Sequence, residues 1–284
     1  MFGWFGIPAF GYPQSRNLEV IHYPADAPSS GRRPLLFIHG AYVGAWCWEE
    51  HFLPYFASRG YDCYALSLSG HGKSDGGEAL HYLGIDDYVA DVRQVVESLP
   101  VEPILIGHSM GGMVVQKYLE HYAAPAVALM APVPASGLGA SVLRMMTADP
   151  WLFVQVSLMH GGGADLIDSG VAGRAVFSDD VDGDLQRRYA SRIQGESHRA
   201  LFDMTVSNLP RRWSMQIPPM LVIGADDDAL FSPAMVRRTA LTYEAELSML
   251  PNLAHAIMLE PNWQRAADVL ADWLARQSAA MVGA

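Results

Sequence analysis

An α/β fold with a mostly parallel central sheet flanked by helices is what the sequence predicts, on three observations. Short runs that are apolar throughout recur along the chain, turn residues follow them, and helix-like segments lie between them. A run without polar alternation suits a strand covered on both faces, as in a parallel sheet under helices. Regular alternation of such strands with helices argues for crossover connections and hence a parallel sheet.

The strand-like runs come in the order "PLLFIHG" (34–40), "DCYALSLSG" (62–70), "PILIGHS" (103–109), "AVALMAPVP" (126–134) and "PMLVIGADD" (219–227), with a shorter pattern in "ELSMLP" (246–251). Between them, "WCWEEHFLPYFASRG" predicts a helix ending on Gly60, a suitable C-cap. "IDDYVADVRQVVESLP" has acids in its first turn and stops before a proline. "MVVQKYLEHY" follows the third run directly. "SPAMVRRTALTY" offers Ser232 as N-cap with Pro233 at the first helical position. "PNWQRAADVLADWLARQ" has apolar residues at helical spacing. The alternation stops between residues 136 and 213, which carry methionines, aromatics, Gly161–Gly163 and the acidic run "SDDVDGD". The expected organisation is therefore a core of residues 1–135 and 214–284 and an inserted helical cap, 136–213, over the C-terminal edge of the sheet, where ligands of open α/β sheets bind.

Half of the 284 residues are hydrophobic, enough for a large core, while 17% are charged and the formal net charge is −11. That balance offers no footprint for nucleic acid or anionic lipid. Neither a signal peptide nor a membrane span is expected: the start lacks a charged segment followed by a continuous apolar one, and no run approaches the roughly 18 apolar residues a span needs. Cys47 and Cys63 form no disulfide framework and read as buried thiols. The expected setting is cytoplasmic, with no cofactor, no metal and no stable membrane association; the sequence leaves room for a homodimer.

The chemistry centres on Gly107-His108-Ser109-Met110-Gly111, a G-x-S-x-G pattern. A second match, Gly72-Lys73-Ser74-Asp75-Gly76, has no strand directly before it and no helical pattern directly after, and reads as loop. Ser109 follows a buried strand and precedes a helix, the context of a nucleophile on a sharp strand-to-helix turn. The helix would aim free N–H groups at the reaction centre, with the Met110 N–H as one oxyanion donor. A serine nucleophile needs a general base, and the base is held by an acid. Where the serine sits on such a strand-to-helix turn, the three follow in the chain order Ser, acid, His. The strand end "VIGADDD" supplies Asp226, Asp227 and Asp228, among which spacing does not choose. His255, in "LPNLAHAIMLE", is the histidine beyond them. His39 and His108 flank the site as shaping residues. The His-Gly pair closing the first run places the Ala41 N–H as second oxyanion donor, whereas "HGGG" at 160–163 lies in the insertion and reads as loop.

Taken together, "HGA" (39–41), "GHGKSD" (70–75), "GHSMGG" (107–112), "GADDDALFSP" (224–233) and "LAHAIMLEPNW" (253–263) resemble the α/β-hydrolase superfamily, over about residues 34–276. The stretch Gly224 to Pro233 is similar to that of the lysophospholipase-like and carboxylesterase-like branch, which implies Asp228 as the acid, with Asp226 in reserve. "GAWCW" (44–48) also resembles the plant methylesterase and hydroxynitrile lyase branch. The expectation is a serine esterase that cleaves small to medium uncharged carboxylic esters through an acyl-enzyme, with Ser109, Asp228 and His255 as triad. Thioester or C–C hydrolysis, cyanohydrin cleavage and a ligand receptor on the same scaffold are the alternatives. Met145, Met146, Trp151, Phe153 and Met159 in the cap are the expected substrate contacts.

Overall fold

Seven strands form one sheet in the order β1-β3-β2-β4-β5-β6-β7 in the computed structural model, which describes residues 15–27, 32–151, 153–154, 176–178 and 180–282. The strands are β1 (Val20–Tyr23), β2 (Leu35–Ile38), β3 (Cys63–Leu66), β4 (Ile104–His108), β5 (Val127–Met130), β6 (Met220–Ala225) and β7 (Glu246–Leu250). All neighbours pair in parallel except β1, which runs antiparallel to β3 along one edge. Strands β2 to β7 fall inside the six predicted runs. The edge strand β1 was not foreseen: "VIHY" is half-exposed and alternates, so it lacks the continuous apolar signal of the others.

The described residues also form helices α1 (Trp46–Glu49), α2 (Phe52–Ala57), α3 (Ile85–Ser98), α4 (Met110–Tyr118), α5 (Gly139–Ala148), α6 (Gly183–Ala190), α7 (His198–Phe202), α8 (Pro233–Tyr243) and α9 (Gln264–Val282), together with short 3-10 or π turns at Gly77–Tyr82, Asp203–Ser207, Arg212–Ser214 and Ile257–Leu259. The helix expected across 46–60 is divided into α1 and α2. Ser232 occupies the N-cap position of α8 with extended backbone, yet its side chain makes no capping bond.

The period-2 geometry of the strands sorts their side chains into two cores. Leu35, Phe37, Ala65, Ile106, Ala128 and Ile223 join Trp48, Phe52, Leu270 and Trp273 under α1, α2 and α9. Leu36, Ile38, Leu66, Leu105, Leu129 and Val222 join Tyr88, Val92, Val114 and Val236 under α3, α4 and α8. Cover on both faces is the reason those strands are apolar throughout. Between β5 and β6 the described residues form α5, α6, α7 and short helical turns, and no strand.

Helix α4 sits so close to the sheet that only glycine fits at its second position. A Cβ at Gly111 would lie 2.3 Å from the Ile38 carbonyl oxygen and 2.5 Å from that of His39. Because both obstacles are backbone, Gly111→Ala should lower stability by about 1–3 kcal/mol, as overpacking does. Urea denaturation checks this, and an unchanged midpoint would show that α4 can shift at no cost.

Candidate active site

The order of strands places the site before any side chain is considered. The chain passes from β2 outward to β3 and returns to the other side of β2 with β4. The connections therefore diverge between β2 and β4, leaving a crevice at their carboxyl ends, where open α/β sheets bind ligands. Ile38 pairs with Gly107, so the turn after β2 and the turn after β4 lie side by side. A Cβ at Gly40 would stand 3.0 Å from Ser109 Cβ and 2.8 Å from His108 Nδ1, which measures how closely the two turns approach.

Ser109 stands at the sharp turn from β4 into α4 with φ 50° and ψ −115°. A side chain with positive φ is strained, and the surroundings must hold it. They do so through its backbone: the Ser109 N–H donates to the Met130 oxygen at 3.1 Å, and the Ser109 oxygen accepts from the Val133 and Met113 N–H groups at 3.0 and 3.2 Å. The turn is closed by glycine, since a Cβ at Gly107 would meet the Gly111 oxygen at 2.5 Å.

Strand pairing β6·β7 brings the other two groups together, with Ala225 opposite Leu250. Asp228 follows β6 and His255 follows β7. The Ser109 Oγ–H donates to His255 Nε2 at 2.9 Å, and His255 Nδ1–H donates to Asp228 Oδ2 at 2.8 Å. The other oxygen, Asp228 Oδ1, accepts from the Leu230 and Phe231 N–H groups at 2.8 and 2.9 Å. All three residues are buried, at 7%, 4% and 4% exposure for Ser109, Asp228 and His255. Asp226 and Asp227 are exposed, so burial and contact choose among the three adjacent aspartates where spacing did not.

Two further histidines shape the site, as expected, and their hydrogen bonds define how. His108 Nε2–H donates to the His255 oxygen at 2.9 Å, holding the backbone of the neighbouring loop. Its Nδ1 is then unprotonated, and burial lowers its pKa well below the usual histidine range, so no cation stands beside His255. His39 Nε2 accepts from the Leu68 N–H at 3.0 Å, and its Nδ1–H donates to the Gly40 oxygen at 2.7 Å. Burial pushes its pKa down to about 3. Gly40 C=O and Ala41 N–H belong to one planar trans unit and point in opposite directions. His39 thus fixes the direction of the Ala41 N–H. Met110 is the first residue of α4, and its N–H has no acceptor within that helix. Both predicted donors therefore flank Ser109.

These groups open onto a cavity of about 190 Å³ whose described walls are almost entirely apolar, among them Met145, Phe177, Tyr189, Met204, Phe231 and Met258. Cys47 also lines it, but burial raises the pKa of its thiol, which leaves it unreactive. Of the expected cap contacts, Met145 lines the cavity. Met146 and Trp151 do not, and are 50% and 66% exposed. Phe153 packs against Met145 without reaching the cavity. Met159 and the "HGGG" at 160–163 lie outside the described residues. Phe177, Tyr189 and Met258 were missed because they are scattered in sequence and carry no local signal. Ser74 belongs to the framework: its hydroxyl donates to the Ser67 oxygen at 2.6 Å and accepts from the Glu19 N–H at 2.8 Å, tying β1 to β3. Among the described residues no group of three or more His, Cys, Asp or Glu could hold a metal ion, and no helix is long and apolar enough to cross a membrane.

Comparison with known proteins agrees with this architecture. A family model described as "Alpha/beta hydrolase family" matches residues 35–273. A monoacylglycerol lipase of Mycolicibacterium smegmatis is 26% identical over 268 residues, covering 89% of this chain and 92% of its own. Among solved structures, a bromoperoxidase from Bacillus anthracis superposes with a TM-score of 0.72 at 20% identity, covering 91% of this chain and 96% of its own. An esterase from Exiguobacterium antarcticum superposes with a TM-score of 0.70 at 15% identity, covering 92% and 97%. At those identities the structures speak for the fold alone.

Proposed function

Because the chain belongs to the alpha/beta hydrolase family, we propose that it is a carboxylic ester hydrolase acting through an acyl-enzyme on small to medium uncharged esters. The observation that carries the reading is the hydrogen-bonded line Ser109–His255–Asp228 opening onto an apolar cavity. The similarity to a monoacylglycerol lipase, over nearly all of both chains, supports an ester as substrate.

In this mechanism Ser109 Oγ attacks the ester carbonyl while His255 Nε2 takes its proton. The carbonyl π electrons move to oxygen, and the Ala41 and Met110 N–H groups stabilise the oxyanion. The intermediate collapses, the C–O bond to the alcohol breaks, and His255 returns the proton to the leaving oxygen. Water then repeats the sequence on the acyl-enzyme, releasing the acid and restoring Ser109. Asp228 keeps Nδ1 protonated and stabilises the imidazolium throughout. The described residues of 136–213 that line the cavity, among them Met145, Phe177 and Tyr189, serve as the cap over the acyl pocket. Such walls offer hydrogen bonds to few substrate groups, which suits an alkyl or aryl acyl chain.

The test is a panel of p-nitrophenyl esters, thioesters and lactones assayed with wild type and Ser109→Ala. Ser109-dependent turnover of the esters is expected; its absence across the esters overturns the reading. The pocket geometry adds a sharper expectation. Met145→Ala should alter kcat/KM unequally from acetyl to dodecanoyl esters, since one methylene of fit is worth about 1–3 kcal/mol. Met146→Ala and Trp151→Ala should leave the profile of chain lengths unchanged. A profile displaced equally by Met145 and Met146 would mean that α5 presents a different face to the substrate.

A further inference from the structure

A second buried charged cluster lies outside this chemistry, on the far side of the oxyanion turn. The His71 and Glu196 side chains are completely buried and form an ion pair at 3.1 Å. The remaining ring nitrogen of His71, Nδ1, faces the Ser69 oxygen at 3.1 Å. Both partners only accept, so both nitrogens carry protons and His71 is an imidazolium. The ring of His39, 5.0 Å away between centroids, is neutral because its Nε2 accepts from Leu68. Glu196 is correspondingly a carboxylate. Its Oε1 accepts from the Tyr88 hydroxyl at 3.1 Å and the Ser197 N–H at 2.6 Å. Its Oε2 accepts from His71 and, at 3.2 Å, from the Tyr42 N–H.

Tyr42 connects this cluster to the reaction. It has φ 67°, a conformation that bulky residues avoid. Both of its backbone groups are held by one segment: its N–H by Glu196, and its oxygen by the Gln194 N–H at 2.9 Å. Gln194 in turn accepts from the Gly72 N–H at 2.8 Å and donates to the Gly70 oxygen at 3.0 Å, so the segment is itself anchored to the loop after β3. Ala41 lies between two peptide planes. His39 pins the plane before it, and Glu196 pins the plane after it.

We propose that the His71–Glu196 pair is the positioning device for the Ala41 oxyanion donor, acting through the strained backbone of Tyr42. The inference rests on the ester-hydrolase reading above. Neither residue touches the substrate. The pair holds a carboxylate where a backbone N–H needs it, and the imidazolium keeps that carboxylate charged away from water. The same contacts couple the donor to residues 194–197, on the segment between β5 and β6.

Glu196→Gln tests this. Whichever way the amide turns, its NH₂ faces a backbone N–H, either that of Tyr42 or that of Ser197. Expected is a fall in kcat per active site of about 10- to 100-fold, approaching the loss of a whole oxyanion donor, with KM within about twofold. Active sites are counted by fluorophosphonate titration. A trifluoromethyl ketone, which forms an oxyanion on Ser109, should weaken by the same factor as kcat/KM, while the corresponding methyl carbinol should bind as before. Unchanged kcat per titrated site, even with a lowered melting temperature, would overturn the inference and leave the pair a structural one. If Glu196→Gln does not fold, Tyr88→Phe decides. It removes one hydrogen bond from the carboxylate, and a kcat lowered about threefold or more at constant KM supports the proposal, whereas an unchanged kcat refutes it. If wild type shows no Ser109-dependent hydrolysis, the ester reading is what has failed and this inference falls with it. If wild type hydrolyses esters and both variants match it, only the positioning role falls.

Discussion

Ser109→Ala will give a folded protein whose kcat on esters is about 10³–10⁶-fold lower, the loss seen when one member of a triad acting as a unit is removed. Alanine meets the same backbone restriction as serine at φ 50°, so the turn from β4 to α4 keeps its shape. What disappears is one hydroxyl, whose hydrogen bond goes to His255 Nε2 at 2.9 Å. A fluorophosphonate probe should label the wild type once and the variant not at all. Labelling of Ser74, or equal labelling of both proteins, would end the assignment of Ser109.

Asp228→Asn should cost about 10⁴-fold in kcat by inverting the imidazole. The geometry dictates how. Oδ1 receives two backbone N–H groups, from Leu230 and Phe231, and an asparagine must keep its oxygen there. Its NH₂ is then turned to His255 Nδ1, which becomes an acceptor. The ring proton moves to Nε2, and Nε2 can no longer take a proton from Ser109. Asp226→Asn and Asp227→Asn change exposed side chains and should retain activity within about twofold, in keeping with the small effects of surface substitutions. If Asp226→Asn proves the most damaging of the three, the acid has been misassigned by two positions.

Much of this arrangement is readable in the chain because its signals are local. Buried strands announce themselves by continuous apolar runs, and a serine between glycines at the start of a helix is a local pattern too. The order serine, aspartate, histidine then leaves little choice of base. Other parts depend on neighbours far away in sequence. Met145 and Met146 are adjacent on α5, so the helix points them to different faces. Which face meets the cavity is decided by what α5 packs on. The "VIHY" of β1 pairs through its backbone and buries little, so composition does not mark it. His71 and Glu196 are 125 positions apart, and each alone looks like an ordinary polar residue of a loop. Only the fold makes them a pair.

The spread of the proposed triad over β4, β6 and β7 also sets a timetable. Ser109 is synthesised 146 positions before the histidine that would activate it. Through that interval β4 can pair with β2, and β5 can follow. Parallel pairing across such separations is slow, because each closure must be completed before its contacts stabilise it. Until β7 docks beside β6, the growing chain carries Ser109 without the histidine proposed to activate it. On the proposed mechanism the hydroxyl is until then an ordinary alcohol, and its activation waits for the last strand of the sheet.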